Sequence, residues 1–259
     1  SDWSSDVCSS DLKFNLDRKA QRVRVFELGR VFLRDASVTN TDTTVEGFHQ
    51  PMRVAGLAYG PREALQWSTS DKGVDFFDVK RDLEALLGAR AAGLRCEAAS
   101  HPALHPGRSA RLLLDGDAIG WLGEVHPRWA QALGLPHAPV VFELDAEAVS
   151  ERIFPHPREQ SRQPVAVRDL AIWVDADVPW QSLLDTLRQR IAADDTLSVV
   201  KDIKLFDIWR EAATSQQRSL ALRLWLQGRD ATLEDRQVEH CVQSLLDALT
   251  ETHGARLRS

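Results

Sequence analysis

RDLAIWVD, residues Arg168–Asp175, alternates with a period of two: Leu170, Ile172 and Val174 on one side, Asp169, Ala171 and Trp173 on the other. Such a period belongs to a half-buried strand, and it turns a tryptophan away from the core. Pro179 follows, with a φ suited to the first turn of a helix, and Trp180, Leu183, Leu184, Leu187 and Ile191 then form one apolar stripe at helical spacing. VVKDIKLFDIW, Val199–Trp209, reads as a second strand. After the polar loop REAATSQQR comes SLALRLWLQ, with Leu220, Leu222, Leu224 and Leu226 inward and Ser219, Ala221, Arg223 and Trp225 outward. Thr232 and Asp235 have the spacing of a capping box. The helix they open is striped by Val238, Cys241, Val242, Leu245, Leu246 and Leu249, and Gly254 stops it. ARLR then makes a short last strand.

The order strand-helix-strand-strand-helix-strand is the split ferredoxin-like arrangement, βαββαβ. Trp173, Trp209 and Trp225 stand on its solvent side, which suggests a surface for stacking against something flat, and nucleobases are the commonest such partner. Asp207 and Trp209 are two apart on one strand and share a face; Ser219 begins the neighbouring strand on what should be the same face. Arg223 and Trp225 are weaker candidates for RNA contact on that side, and Arg168 and Lys204 are basic side chains able to reach a phosphate.

The net charge of −6 argues against broad nucleic-acid affinity, and residues 162–259 carry slightly more acidic than basic side chains. Phosphate-driven binding would show a basic stripe, so any RNA contact here is local and aimed at a few exposed bases. A hydrophobic content of 43% with 27% charged residues is that of a water-soluble globular chain, and no apolar run approaches the ~20 residues that span a bilayer. Cys8, Cys96 and Cys241 do not make a disulfide framework, which points to a reducing, cytoplasmic setting.

RIFPHPREQSRQP, Arg152–Pro164, is proline-rich and polar and reads as a linker. The domain before it looks α+β with mostly antiparallel strands. Val23–Glu27 and Val31–Arg34 flank Leu28-Gly29-Arg30 as an expected hairpin. Pro51–Tyr59 is a strand, and a helix over Asp75–Leu87 should bury Phe76, Val79, Leu83, Leu86 and Leu87 and end at Gly88. Asp115-Gly116 is a tight-turn signal between Arg111–Leu114 and Ala118–Val125. Val140–Leu144 is a short strand, with Asp145 as a helix cap. Thr39–Glu46 is a polar loop. His101, His105 and His126, with Cys96 nearby, lack the paired spacing of a metal site and read as turn histidines beside prolines.

Several long stretches resemble one family. RDLAIWVDADVP, LFDIW, RSLALRLWLQ and DATLEDRQVE are similar to the ferredoxin-fold anticodon-binding domain that ends the bacterial phenylalanyl-tRNA synthetase beta subunit. VRVFELGRVF (Val23–Phe32), VDFFDVKRDLEALLG (Val74–Gly88) and ALHPGRSARLLLDGDAIGWLGEVHP (Ala103–Pro127) resemble that subunit's catalytic-like module. The resemblance implies an antiparallel, class II synthetase-like but non-catalytic domain at 13–155, a linker at 156–163 and the anticodon-binding domain at 164–259. It implies that positions matching Asp207, Trp209 and Ser219 meet the first anticodon base, with Trp209 standing where relatives commonly carry Tyr. It also implies an (αβ)₂ heterotetramer that charges tRNA(Phe) with phenylalanine, using ATP and Mg²⁺ held outside this segment, with the alpha subunit as partner. FELGRVF sits where a class II arginine-glutamate motif would be, Glu27 and Arg30 being remnants, and no glycine-rich arginine motif follows. The resemblance therefore predicts no catalytic residue and no cofactor of this segment's own.

SDWSSDVCSSDL, Ser1–Leu12, resembles the translation of a sequencing adapter, and the chain's only methionine is Met52. These residues are expected to add nothing to the fold, and neither Trp3 nor Cys8 to have a function. Two other readings of the βαββαβ unit compete: a small-molecule regulatory module, which would place ligands between helix and strand, and a structural subunit-interaction protein with its aromatic face docked.

Overall fold

The computed structural model describes residues 5–68, 72–151, 161–212 and 214–258. The chain divides into two compact units, Ser1–His156 and Pro157–Ser259. Most of the expected linker falls on 152–160, outside the described residues.

In the first unit, α1 (Ser5–Asp17) precedes β1 (Val23–Arg30), β2 (Leu33–Arg34), β3 (Phe48–His49), β4 (Met52–Tyr59), α2 (Phe76–Leu87), β5 (Leu94–Ala98), β6 (Leu104–Leu114), β7 (Asp117–Val125), α3 (Pro127–Ala132), β8 (Val140–Asp145) and α4 (Ala146–Ser150). One antiparallel six-stranded sheet has the order β1-β4-β8-β7-β6-β5. Alternation along its strands feeds two cores, because successive side chains point to opposite faces. Ala58, Leu112, Leu122 and Val140 pack with Val79, Leu83 and Leu87 of α2. Leu57, Tyr59, Leu104 and Val141 pack with Leu12 and Leu16.

Leu12 is 0% exposed. The segment expected to stand outside the fold thus supplies a core residue, because α1 runs unbroken through residue 12 and lays that side chain on the sheet. Three further expectations need correcting. No hairpin forms at Leu28-Gly29-Arg30: β1 continues through all three residues and pairs with β4, while Leu33–Arg34 pairs with β3. On α2, Leu86 is 51% exposed, since the sheet-facing stripe runs through Val79, Leu83 and Leu87 at four-residue spacing and leaves Leu86 beside it. Asp75 lies just before α2 as its cap, accepting from the N–H groups of Phe77 and Asp78. The Asp115-Gly116 turn is as expected, with φ of 55° and 99°, the left-handed pair that a tight hairpin demands.

The second unit runs β9 (Ala166–Asp175), α5 (Trp180–Ala193), β10 (Val200–Trp209), β11 (Gln217–Leu226), α6 (Asp235–His253) and β12 (Arg256–Leu257). Its antiparallel sheet has the order β10-β11-β9-β12, as the βαββαβ reading requires. One core joins Ile172 and Val174 of β9, the four β11 leucines, Leu183 and Leu187 of α5, and Val238, Cys241, Leu245 and Leu249 of α6. Both helices therefore cover one sheet face. Pro179 sits at the cap of α5 rather than inside it. The capping box of α6 is two residues later than expected, formed by Glu234 and Gln237; the Thr232 hydroxyl donates to Gln163 Oε1 instead, at 2.9 Å. Gly254 ends the helix with φ 64°, the left-handed conformation.

Candidate nucleic-acid interface

The sheet face opposite α5 and α6 is set by register. Trp209 pairs with Ser219, and Ser219 pairs with Trp173, so three neighbouring strands bring these residues to one row. Asp207 lies opposite Ala221 on the same face. A bulge between Leu205 and Asp207 lets Leu205 pack on the core while Phe206 and Asp207 both turn outward. Asp207, Trp209 and Ser219 are thus brought together as the sequence predicts.

Trp173 and Trp209 meet edge to face, with ring centroids 5.6 Å apart. Such an edge-to-face pair holds both rings in a preferred geometry. Arg258, which follows the last strand, adds a cation: its Cζ is 5.4 Å from the Trp173 centroid and 5.0 Å from that of Trp209. Arg258 Nη1 donates to Ser219 Oγ at 3.2 Å. Ser219 is only 3% exposed, whereas Trp209 is 42% exposed. Asp207 is exposed, and its carboxylate has no hydrogen-bond or ion-pair partner among the described residues. An available carboxylate thus stands beside an available ring. An open cleft lined in part by Asp175, Glu211, Gln217 and Arg256 continues the face past Trp173.

The weaker candidates separate into two groups. Lys204, Arg223 and Trp225 do lie on this face, toward the opposite end of β10 and β11. Lys204 Nζ is 5.2 Å from the Trp225 ring centroid and 3.3 Å from Asp202 Oδ2. Arg223 donates from Nε and Nη2 to the two carboxylate oxygens of Asp169, each at 2.7 Å. That hydrogen bonding holds the Asp169 carboxyl below its ordinary range and pushes the Arg223 guanidinium up. Arg168 does not join them. It pairs across the ladder with Leu224, a core residue, and its guanidinium is 3.7 Å from Asp235 on α6, on the helix side of the sheet.

Two residues that the sequence did not single out complete the surface. Phe206 shares its face with Lys204, two residues before it, by ordinary strand alternation, and the bulge then turns Asp207 and Trp209 to that same side, which no local pattern announces. Arg258 was within reach of the reading, because Arg256 and Arg258 alternate in the predicted last strand and Arg256 pairs with Trp173.

In the first unit, Nδ1 of His101, His105 and His126 accepts the backbone N–H two residues on, from Ala103, Gly107 and Arg128 at 3.2, 3.0 and 3.1 Å. These are turn and cap contacts of the kind expected. Glu27 and Arg30 are three apart on an edge strand and point to opposite faces, and Arg30 Nη1 donates to the Gln50 carbonyl at 3.0 Å. The pair does not converge on a place for ATP phosphates or Mg²⁺, so no step of that chemistry is assigned to it.

Comparison with known proteins places both units. Residues 9–146 match the family model described as the phenylalanyl tRNA synthetase beta chain CLM domain, a match that begins inside the segment set aside from the sequence. Residues 161–258 match the ferredoxin-fold anticodon binding domain. Over 252 residues the chain is 52% identical to the phenylalanine–tRNA ligase beta subunit of Bordetella parapertussis, a match spanning 96% of this chain and 31% of that protein. It is 47% identical over 253 residues to the protein of the same name from Burkholderia pseudomallei, covering 95% of this chain and 31% of the relative. The counterpart in Ralstonia nicotianae is 48% identical, with 96% and 31% covered. The chain therefore spans about a third of the length of the curated relatives it matches.

Proposed function

The chain belongs to the phenylalanyl-tRNA synthetase beta chain family, and from that premise we propose that its second unit holds the anticodon of tRNA(Phe) while its first unit supports the alpha subunit. The whole enzyme would be a cytoplasmic (αβ)₂ assembly that charges the tRNA with phenylalanine using ATP and Mg²⁺, the reaction being carried out by residues other than those of this chain. The observation that carries the reading is the row formed by Trp209, Trp173 and the unpaired Asp207 on the helix-free sheet face.

Each group has a part. The exposed ring of Trp209 stacks on the first anticodon base, and the Trp173 edge keeps it from rotating away. Indole has no phenolic oxygen, so this contact is stacking without the hydrogen bond a Tyr would add. Asp207 accepts from the N–H groups on the Watson–Crick edge of guanine. Ser219 accepts from Arg258 and retains its own O–H to donate; because it is covered, it meets the base only as Arg258 shifts aside. Local contacts of this kind suit a unit without a basic stripe, with the rest of the assembly supplying most of the affinity. Edge strand β1, where Phe26 is 80% and Leu28 59% exposed, is the natural face of the first unit for a partner subunit.

The test uses a hairpin RNA reproducing the anticodon stem and loop of tRNA(Phe). Trp209→Ala should weaken its binding by roughly ten- to hundredfold, from ~1–3 kcal/mol of base–aromatic stacking, with the melting temperature unchanged. Asp207→Ala should cost more against the native loop than against one altered at the first anticodon base. Equal penalties on both RNAs would reject base recognition and favour a docked protein surface. Competition of RNA by free phenylalanine would favour the regulatory reading.

A further inference from the structure

Past Asp207, away from the tryptophan pair, the same sheet face carries a second cluster that the proposed base contact does not use. Phe206 is 53% exposed. The guanidinium of Arg223 lies over its ring, Cζ 5.0 Å from the centroid, and the two hydrogen bonds to Asp169 lock it there. A guanidinium clamped by a carboxylate is a fixed planar surface. Its charge is already matched, so the cluster has little pull on phosphate and is suited to a flat ring, which stacks on guanidinium planes as it does on aromatics. Arg223 is four residues from Ser219 along β11, about 13 Å at ~3.3 Å per residue. Between the two clusters Ala221 faces Ala171 across one ladder and Asp207 across the other, so only small side chains separate them along β11 and β9.

We propose that Phe206, Arg223 and Asp169 form a second stacking station, for an unpaired nucleobase a few nucleotides from the one at Trp209, so that the face grips a single-stranded stretch rather than one base. The proposal rests on the reading of the Trp209 row as a base site. Single-stranded RNA is favoured over a protein partner by the pairing of aromatics with cations along the face: Arg258 at Trp173 and Trp209, Arg223 at Phe206, Lys204 at Trp225.

The experiment measures binding of the full chain to the same anticodon hairpin and to a set of hairpins with one loop base removed at a time. Phe206→Ala and Arg223→Lys, which keeps the charge but loses the planar fork, should each weaken binding about tenfold. Both losses should vanish with one particular abasic hairpin, and the Trp209→Ala loss with a different one; such paired removals isolate a direct contact. If Trp209→Ala weakens binding while Phe206→Ala and Arg223→Lys leave it unchanged, the second station is wrong and the base site stands. If none of the variants changes binding, or the chain binds no hairpin, both readings fall. If the Phe206→Ala loss is the same for every hairpin, or comes with a lower melting temperature, the cluster is structural and the proposal is overturned.

Discussion

Ser219 would be pictured from the sequence as a solvent-facing hydroxyl, yet it lies beneath Arg258 and between two indoles. Its strongest effect on RNA binding should therefore pass through that arginine. Ser219→Ala and Arg258→Gln should each weaken hairpin binding several-fold, and the double variant should lose little more than Arg258→Gln alone, since residues sharing one hydrogen bond are not additive. Full additivity would show that the two act separately. Asp169 offers a direct test of the Arg223 clamp. Its folded-state pKa is lowered below 3.8 by the hydrogen bonds from Arg223, so the pairing is fully present above the unfolded value and is lost as pH falls through the lowered one. An NMR titration of the Asp169 carboxyl should give a midpoint below 3.8 that rises toward it in Arg223→Gln. Leu12 carries the clearest correction: Leu12→Ala should destabilise the first unit by ~2–5 kcal/mol, the range for emptying a fully buried leucine site, and a thermal or urea melt would reveal it.

Elements with one buried face were legible, and those whose environment is set by other elements were not. β9 and β11 alternate strictly because their inner residues meet both helices and their outer residues meet water, so their period gives them away. β1 has neighbours on one side only, and its Gly29 reads as a turn although the chain simply runs on against β4. The bulge that puts the adjacent Phe206 and Asp207 on one face is a pairing event between two strands; neither strand's own sequence contains it. Helix ends were found to within two residues, as at Asp75, whose carboxylate accepts two backbone N–H groups while Asp78 returns a bond to its own N–H. Asp75→Ala should cost about 1 kcal/mol. Burial pushes the Asp78 carboxyl up, but hydrogen bonds from Asp75 and Arg62 more than offset this and leave it lowered. The stabilisation from this cap should accordingly persist above 3.8 and fade as pH drops through the lowered value, visible as a steeper acid limb in wild type than in Asp78→Asn.

At the scale of the molecule, the first unit has a core on each face of its sheet and the second has one, and these described cores share no residue. Residues 157–259 expressed alone should therefore unfold in one cooperative transition and bind the anticodon hairpin with the same affinity as the full chain. A fragment that is molten by near-UV circular dichroism would contradict this. The family match and the two-unit division could be seen in the sequence because long segments keep their order; the side taken by Arg168 was also legible, because it stands two residues before Leu170 and follows the same period to the helix side.

The edge-to-face contact of Trp173 and Trp209 also has an optical consequence. Two indoles held 5.6 Å apart have coupled transitions, and a nearby guanidinium perturbs both. A guanine stacking on Trp209 should quench its emission and break the symmetry of that coupling. Subtracting the spectrum of Trp209→Phe from that of the native chain would isolate this signal from the other tryptophans. The site thereby carries its own chromophore, and occupancy could be followed in real time without attaching a dye to either molecule.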